Sequence, residues 1–245
     1  MTDTTATAPI QAPLSETQRC IDVFTSPSKT FTDIGRKATF WGPLIIMIIV
    51  GVSYSFSVQT KIGWPQVFEN TIHQTPDKEA KINAAPNPEQ IKAISAKVTA
   101  GFSYGYFVLA LIITLVTSLL FWATVNFGFG GTAKYSQIYA VSFYAGLVMN
   151  IKYILAIIAV FAGLAPESFL IQNPVGTNIG YYLSTDAPRW LSSLCMHLDI
   201  FEIWSLVLTV IGVAIVARVS RGKAAAVVIG WWVLIVLISA GAAAI

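Results

Sequence analysis

Charge is what this chain of 245 residues most conspicuously lacks: Asp, Glu, Lys and Arg together make up 11% of it, against roughly a quarter in an ordinary soluble domain. Histidine and cysteine are scarce too, with two of each. His73 and His197 stand in no H-E-x-x-H frame and Cys20 and Cys195 in no C-x-x-C frame, so the usual metal and redox signatures are missing and no cofactor is expected. Cys20 and Cys195 fall in different surroundings, expected on opposite sides of a bilayer, which argues against a disulfide. A net charge of +3 is too small and too scattered for a nucleic-acid partner. What is there instead is 55% hydrophobic residues, 12% aromatic residues and a mean hydropathy of +0.68. That composition excludes disordered, collagenous and disulfide-scaffold classes and indicates a membrane protein.

The charges leave long gaps, and each gap holds about 20 apolar residues, enough for a helix to cross a hydrocarbon core of about 30 Å. Lipid cannot satisfy free backbone N–H and C=O groups, so the crossing segments must be helices. The gaps predict an all-α bundle of five spans: Phe40 to Val58, Tyr104 to Phe127, Gln137 to Gly163, Asp199 to Val219 and Ala224 to Ala244. Aromatic residues such as Trp41, Tyr104, Tyr135 and Trp231 fall near the expected interfaces. Lys29, Arg36, Lys37, Lys134, Arg218, Arg221 and Lys223 flank one side, against Lys61, Lys92, Lys97 and Arg189 on the other. This asymmetry predicts a cytoplasmic N-terminus and an external C-terminus.

Outside the spans, residues 1–14 read as a disordered tail and residues 15–39 as cytoplasmic interfacial helices. Ser15 and Gln18 form a capping-box pattern, and Ser26-Pro27 a second helix start with Gly35 as its stop. Phe24, Phe31 and Ile34 would share a face, with Lys29, Arg36 and Lys37 toward headgroups: either a surface helix that senses or shapes lipid, or a plain interfacial anchor. Residues 40–245 form the membrane domain, with an external helical loop over 59–103. In that loop Thr75-Pro76 and Asn87-Pro88 open helices, and Ile91, Ile94, Val98 and Phe102 mark an amphipathic helix running into the second span. Trp190, Leu191, Leu194 and Leu198 make a further apolar side, expected to lie on the membrane surface.

Catalysis needs a nucleophile with a base, a carboxylate pair or a metal cluster, and none of these frames is present. Cys195, His197 and Asp199 are close in sequence but would splay on a helix. Gly128, Gly130 and Gly131 lack the Lys-Ser/Thr of a phosphate loop and read as a tight turn that lets helices approach. The intramembrane polar residues carry more information, because a charge in lipid must be paired or hydrated. Lys152 and Glu202 lie at equal distances from one edge of antiparallel helices, predicting a Lys152–Glu202 contact, or one to Asp199 a turn away. The pair is either a buried brace that fixes helix register or part of an ion or proton relay. Asn126 and Asn150 are expected to form interhelical hydrogen bonds, and Ser142 with Gly146 a small-residue contact.

Several segments resemble the Yip family: Trp41-Gly42-Pro43-Leu44, the Phe129-Gly130-Gly131 turn with Lys134-Tyr135, the Ser142, Tyr144 and Gly146 helix, and Leu198-Asp199-Ile200-Phe201-Glu202-Ile203-Trp204. Phe24-Thr25-Ser26-Pro27-Ser28-Lys29-Thr30-Phe31 is similar to prokaryotic members. The likeness runs from about Arg19 to the C-terminus. It implies five spans, a cytosolic N-terminus, no catalytic residues, and a role in membrane organisation or trafficking through protein partners or lipid. Eukaryotic members carry a longer N-terminal region associated with GTPase and coat partners. The short one here argues against a small GTPase partner.

The expectation is therefore a non-enzymatic scaffold with membrane lipids as partners, and with protein partners or a homo-oligomer as further contacts. The alternative is a small-solute or ion transporter or channel using Lys152, Glu202, Asp199, Asn150 and Asn126, which would need a water-filled cavity reaching them.

Overall fold

The structure, a computed structural model, describes residues 12–184 and 186–244. Most of the tail expected over residues 1–14 lies outside them. The protein is all-α, and among the described residues five helices are long and apolar enough to cross a membrane: Trp41–Lys61, Tyr106–Gly128, Tyr135–Phe161, Ile200–Ala217 and Arg221–Ala243. These are the expected spans, with ends shifted by a few residues. One end of the bundle carries the N-terminal helices, the 128–134 turn and the 218–220 turn; it is called the amino-terminal face below. The other, the loop face, carries the connections 62–105 and 162–199.

The first span is α3 (Trp41–Lys61). Three helices follow at the loop face: α4 (Trp64–His73), α5 (Pro76–Asn83) and α6 (Pro88–Tyr104), each with proline in its first turn, where no N–H is needed. The start of α4 is set by Gly63 at φ +83, a left-handed conformation that favours glycine, followed by Pro65. The second span is α7 (Tyr106–Ala123), ending in a widened π-type turn over Thr124–Gly128.

The third span is two helices, α8 (Tyr135–Gly146) and α9 (Met149–Phe161). At the break the backbone tightens to three-residue steps, with Leu147 N–H donating to Tyr144 and Asn150 N–H to Leu147. The Asn150 amide also donates to the Leu147 carbonyl at 3.2 Å. Asn150 therefore satisfies the backbone of a helix break and not a neighbouring helix, contrary to the sequence expectation. Gly146 makes no close approach, since a Cβ there would meet open space; the interhelical contact belongs to Ser142, whose hydroxyl accepts from Ser118 at 3.0 Å.

After the loop-face helix α10 (Arg189–Met196) come the last spans, α11 (Ile200–Ala217) and α12 (Arg221–Ala243). α10 packs on α12, and Ser193 and Ser239 share a hydrogen bond of 3.0 Å.

The N-terminal helices α1 (Glu16–Thr25) and α2 (Pro27–Arg36) form a hairpin. Ser15 and Gln18 make both bonds of the capping box, at 3.2 and 3.0 Å. The hairpin is seated among α3, α8 and α11. Phe31 and Ile34 are fully buried, and Phe24 stacks edge-on against Trp204 with ring centroids 5.9 Å apart. Trp204 is thirteen residues from the end of α11, about 20 Å along its axis, so the hairpin tip reaches well into the bundle. Gly212 makes this approach possible: a Cβ there would meet Val141 Cγ1 at 2.4 Å and Phe31 Cδ1 at 3.1 Å. Ten-residue helices are too short to span. Their alternative surroundings are aqueous, so burying Val23, Phe31 and Ile34 contributes about 1.5–3 kcal/mol each.

A polar network locks the seat. Arg19 is 1% exposed and pairs with Asp33 across the hairpin, Nη2 to Oδ2 at 2.7 Å and Nε to Oδ2 at 2.8 Å. Its Nη1 donates to Thr39 at 2.6 Å. Glu16 accepts from Thr39, from the Tyr144 hydroxyl at 2.6 Å and from Gly42 N–H at 3.1 Å, tying α1 to the first and third spans. The thiol of Cys20 lies where a side chain on Gly42 would sit, and burial, reinforced by the Glu16 charge, pushes it up to about 11.

Two outcomes test this seat. In a Cys195→Ser background Cys20 should resist maleimide at pH 7, whereas Gly212→Leu should displace Phe31 and expose the thiol. Equal labelling of both proteins would show that the hairpin is not seated. Arg19→Met should lower stability by about 3–5 kcal/mol, because it strands Asp33 in a buried site; thermal unfolding in detergent measures the loss.

Candidate functional site

The polar residues singled out in the sequence gather in two places. At the loop face, Asp199 caps α11 by accepting from Phe201 N–H at 2.9 Å through Oδ1. Its other oxygen accepts from Lys152 Nζ at 2.8 Å and from the Thr177 hydroxyl at 2.6 Å. The partner of Lys152 is thus Asp199, the second of the two carboxylates considered, and the Lys152–Glu202 contact is not formed. Glu202 turns to α12 instead, where it accepts from Trp232 Nε1 at 2.6 Å and faces His197 Nδ1 at 3.1 Å.

Equal distance from one edge brings Lys152 level with Asp199, nearer the loop-face ends of their helices than the middle. Lys152 lies about 25 Å from the start of α8 and Asp199 about 27 Å from the end of α11 by helical rise. The pair therefore sits where the loop 162–199 can fold over it. Asn178 and Asp199 form an antiparallel bridge, Ile200 N–H donates to the Thr177 carbonyl at 3.1 Å, and Asn173 and Asn178 exchange amide hydrogen bonds at 2.6 and 3.2 Å. Asp199 is 1% exposed. Burial alone would raise its carboxyl, but the Lys152 ammonium, the Thr177 hydroxyl and the Phe201 N–H together hold it below the usual carboxylate range.

The second place is the turn between the second and third spans. The Asn126 amide donates to the Ala133 carbonyl at 2.8 Å while its oxygen accepts from Ala133 N–H at 3.1 Å, closing the turn on itself and not joining two helices. Trp122 Nε1 adds a second bond to that carbonyl at 3.0 Å. Gly130 takes the left-handed conformation at φ +72. Gly131 lets the turn meet α11, since a Cβ would lie 3.2 Å from that of Ala217. Thr132 N–H then donates to the Ala217 carbonyl at 3.0 Å, answering one of the open carbonyls at the helix end. Gly128 closes the π-type turn and makes no such approach.

Sequence reading missed Arg19, Asp33, Glu16, Thr177, Asn178 and the pairing of His197. The reciprocal i, i+3 capping pattern at Ser15 signalled the helix but not the charge buried within it. Thr177 carries no local signal, because its carboxylate partner lies 22 residues away, and the local cap that Asn178 makes to Tyr181 N–H does not announce its bridge to Asp199. Among the described residues no group of three or more His, Cys, Asp or Glu side chains could hold a metal ion. His197 and Asp199, adjacent in the suggestive C-M-H-L-D run, face different partners. Nor does the arrangement supply a nucleophile with a base; its charges are spent on one another.

His197 lies outside the spans, and its hydrogen bond to Glu202 raises it above the ordinary imidazole range, outweighing burial and the nearby Lys152 charge. A raised folded value means that the contact stabilises fully below about pH 6.5 and that this contribution is lost as pH rises through the folded value. Hydrogen exchange of α10 should therefore accelerate between about pH 6.5 and 8, after correction for intrinsic exchange. His197→Gln should flatten that profile; an unchanged profile would show that the contact does not titrate.

Comparison with known proteins agrees with this architecture. A Yip1 domain matches residues 21–243, a stretch that takes in all five spans and most of the hairpin. The chain is similar to the membrane protein YknW of Bacillus subtilis (strain 168), with 25% identity over 204 residues, covering 81% of this chain and 78% of that protein. No solved structure matches. With the domain match running across nearly the whole bundle, this integral membrane protein belongs to the Yip1 domain family.

Proposed function

We propose that the protein is a non-enzymatic scaffold of the membrane, working through contacts with lipid and with protein partners or further copies of itself. The observation that carries this reading is the fate of the buried charges. Arg19 is answered by Asp33, and Lys152 by Asp199, each at about 2.7–2.8 Å. Each pair also takes hydrogen bonds that brace separate elements, and such a pair fixes register. Its outward surface, by contrast, is broad and apolar along the spans, as at Ile112, Ile113 and Val116 of α7, where lipid or another span would lie. The basic flank at the amino-terminal face, from Lys29 to Lys223, supports placing that face in the cytoplasm and the loop face outside, in a bacterial cytoplasmic membrane.

The test separates bracing from relay chemistry. Lys152→Met alone strands Asp199 and should cost about 3–5 kcal/mol, whereas Lys152→Met with Asp199→Asn should recover most of that loss. The double variant should still enter the same detergent-stable membrane complex as the wild type, read by native electrophoresis of crosslinked cells. If it folds normally but abolishes a proton or ion flux that wild-type proteoliposomes display, the scaffold reading is wrong and the transport alternative takes its place.

A further inference from the structure

Span α11 has 18 residues, about 27 Å by helical rise, which is less than the roughly 30 Å of a hydrocarbon core. Its first turn therefore lies within lipid, and the chain that leads into it is drawn in as well. Against that first turn packs the loop segment from Gly176 to the short turn Ile179–Tyr182, fixed by the bridge between Asn178 and Asp199. Between the segment and the start of α11 runs an open groove of about 360 Å³, lined by Ile179, Tyr182, Leu198, Ile200 and Ile203 beside residues 176–178. We propose that this groove is a binding site for one acyl chain of a phospholipid in the leaflet at the loop face.

Three observations point to that occupant. The first is continuity. Ile200, Ile203 and Val207 are all exposed and follow one another at steps of three and four along one side of α11, so the groove opens onto the flank that this span turns to lipid. An acyl chain lying along that flank enters the groove without leaving hydrocarbon. The second is the loop backbone. Irregular chain is tolerated beside lipid only where its polar groups are answered from within. Here Ile200 N–H donates to the Thr177 carbonyl at 3.1 Å, Tyr181 N–H to the Asn178 side-chain oxygen at 3.0 Å, and the Tyr182 hydroxyl to the Gly176 carbonyl at 3.0 Å. The last bond ties the hydroxyl of Tyr182 to its own loop, so the ring, in a residue 74% exposed, is what it offers a neighbour. Glycine is needed for that closure, since a Cβ on Gly176 would lie 2.6 Å from the Tyr182 hydroxyl.

The third is size. A volume of about 360 Å³ is less than one turn of a helix about 10 Å across and 5.4 Å long would fill, so another span does not fit, while a single flexible chain does. Lipid and groove are equally apolar, and transfer from water does not decide the matter. Packing does, because an unfilled groove forfeits the dispersion contacts of its walls. The site rests on the scaffold reading, which it deepens by giving lipid a defined place, but it is measured on the isolated chain, so its failure leaves the test of the membrane complex standing.

Full-length protein in nanodiscs of phosphatidylcholine, a small part of it carrying a diazirine midway along one acyl chain, provides the test, with adducts placed by peptide mass spectrometry after irradiation. The exposed residues Ile112, Ile113 and Val116, in the same half of the span formed by α7, report ordinary contact with bulk lipid. Because the preference comes from packing alone, adducts at Ile179, Ile200 and Ile203 should exceed those at the α7 residues by about 3- to 10-fold. Ile203→Trp fills the groove and Gly176→Leu drives Tyr182 from its place; both should bring the groove down to the α7 level and leave the α7 adducts unchanged. An unaltered thermal unfolding midpoint identifies the variants that keep the fold, and if neither does, the wild-type adduct map decides alone. Equal yields at the groove and at α7 in the wild type overturn the proposal, as does enrichment that a folded variant retains. Groove adducts with a water-soluble diazirine overturn it in favour of a wet cleft, and efficient disulfide crosslinking of Ile203→Cys between copies overturns it in favour of a second copy.

Discussion

A charge inside a bilayer must be answered from within the chain, and the rest of this structure depends on how two charges are answered. Arg19 and Asp33 close the hairpin at one face; Lys152 and Asp199 join the third and fourth spans at the other. Between spans, apolar burial supplies little net driving force, because lipid is as apolar as the protein interior. Register must come from directional and short-range contacts. The polar pairs provide the first kind. Gly212, Gly131 and the Ser118–Ser142 bond provide the second, holding helices at separations that a larger side chain would forbid.

These contacts divide the molecule into two packed regions. The hairpin, α8, α11 and α12 share a core around Phe31, Ile138, Val141 and Val213. The far end of α3, with α4, α6 and α9, shares another around Tyr54, Val58, Val67 and Phe169. The break in the third span falls between them, so α8 packs in the first region and α9 in the second. A straight helix would impose one orientation on both. The break permits two, and Asn150 braces it, its backbone N–H and its side-chain amide both donating to the Leu147 carbonyl.

The spans were legible because charge in a membrane segment is costly everywhere along it, so a gap in charge marks a helix without any knowledge of neighbours. Helix starts at Ser15, Pro27, Pro76 and Pro88 were legible because their signals are local too: a reciprocal capping box at Ser15 and a proline at the first helical position of the others. The start of α4 escaped because Gly63, and not a Ser, Thr or Asn, precedes it and its proline, Pro65, falls at the second helical position. Pair identity was harder. Lys152 has two carboxylates within one turn, and the choice is made by the N-cap geometry of Asp199 and by the Trp232 indole that draws Glu202 away, both of which require the folded neighbours. Arg19 and Asp33 look like solvent-facing charges in sequence, and only the crossing of α1 and α2 shows that they are not.

The amino-terminal face joins a structural element to an outward one. Asp33 belongs both to the locked network, through Arg19, and to the floor of an open concavity on α2. Phe31, two residues away, rests on Gly212 of the fourth span. A ligand that binds the polar side of α2 in its seated position, and less well when the hairpin is released, must stabilise the seat by the same free energy with which the seat favours the ligand. The hairpin is short, polar on one side and apolar on the other, and held by contacts that a single substitution can remove. It is therefore the part of the bundle whose position a surface ligand can bias most readily. The paired charges at the loop face lie beneath their own covering loop and offer no comparable handle.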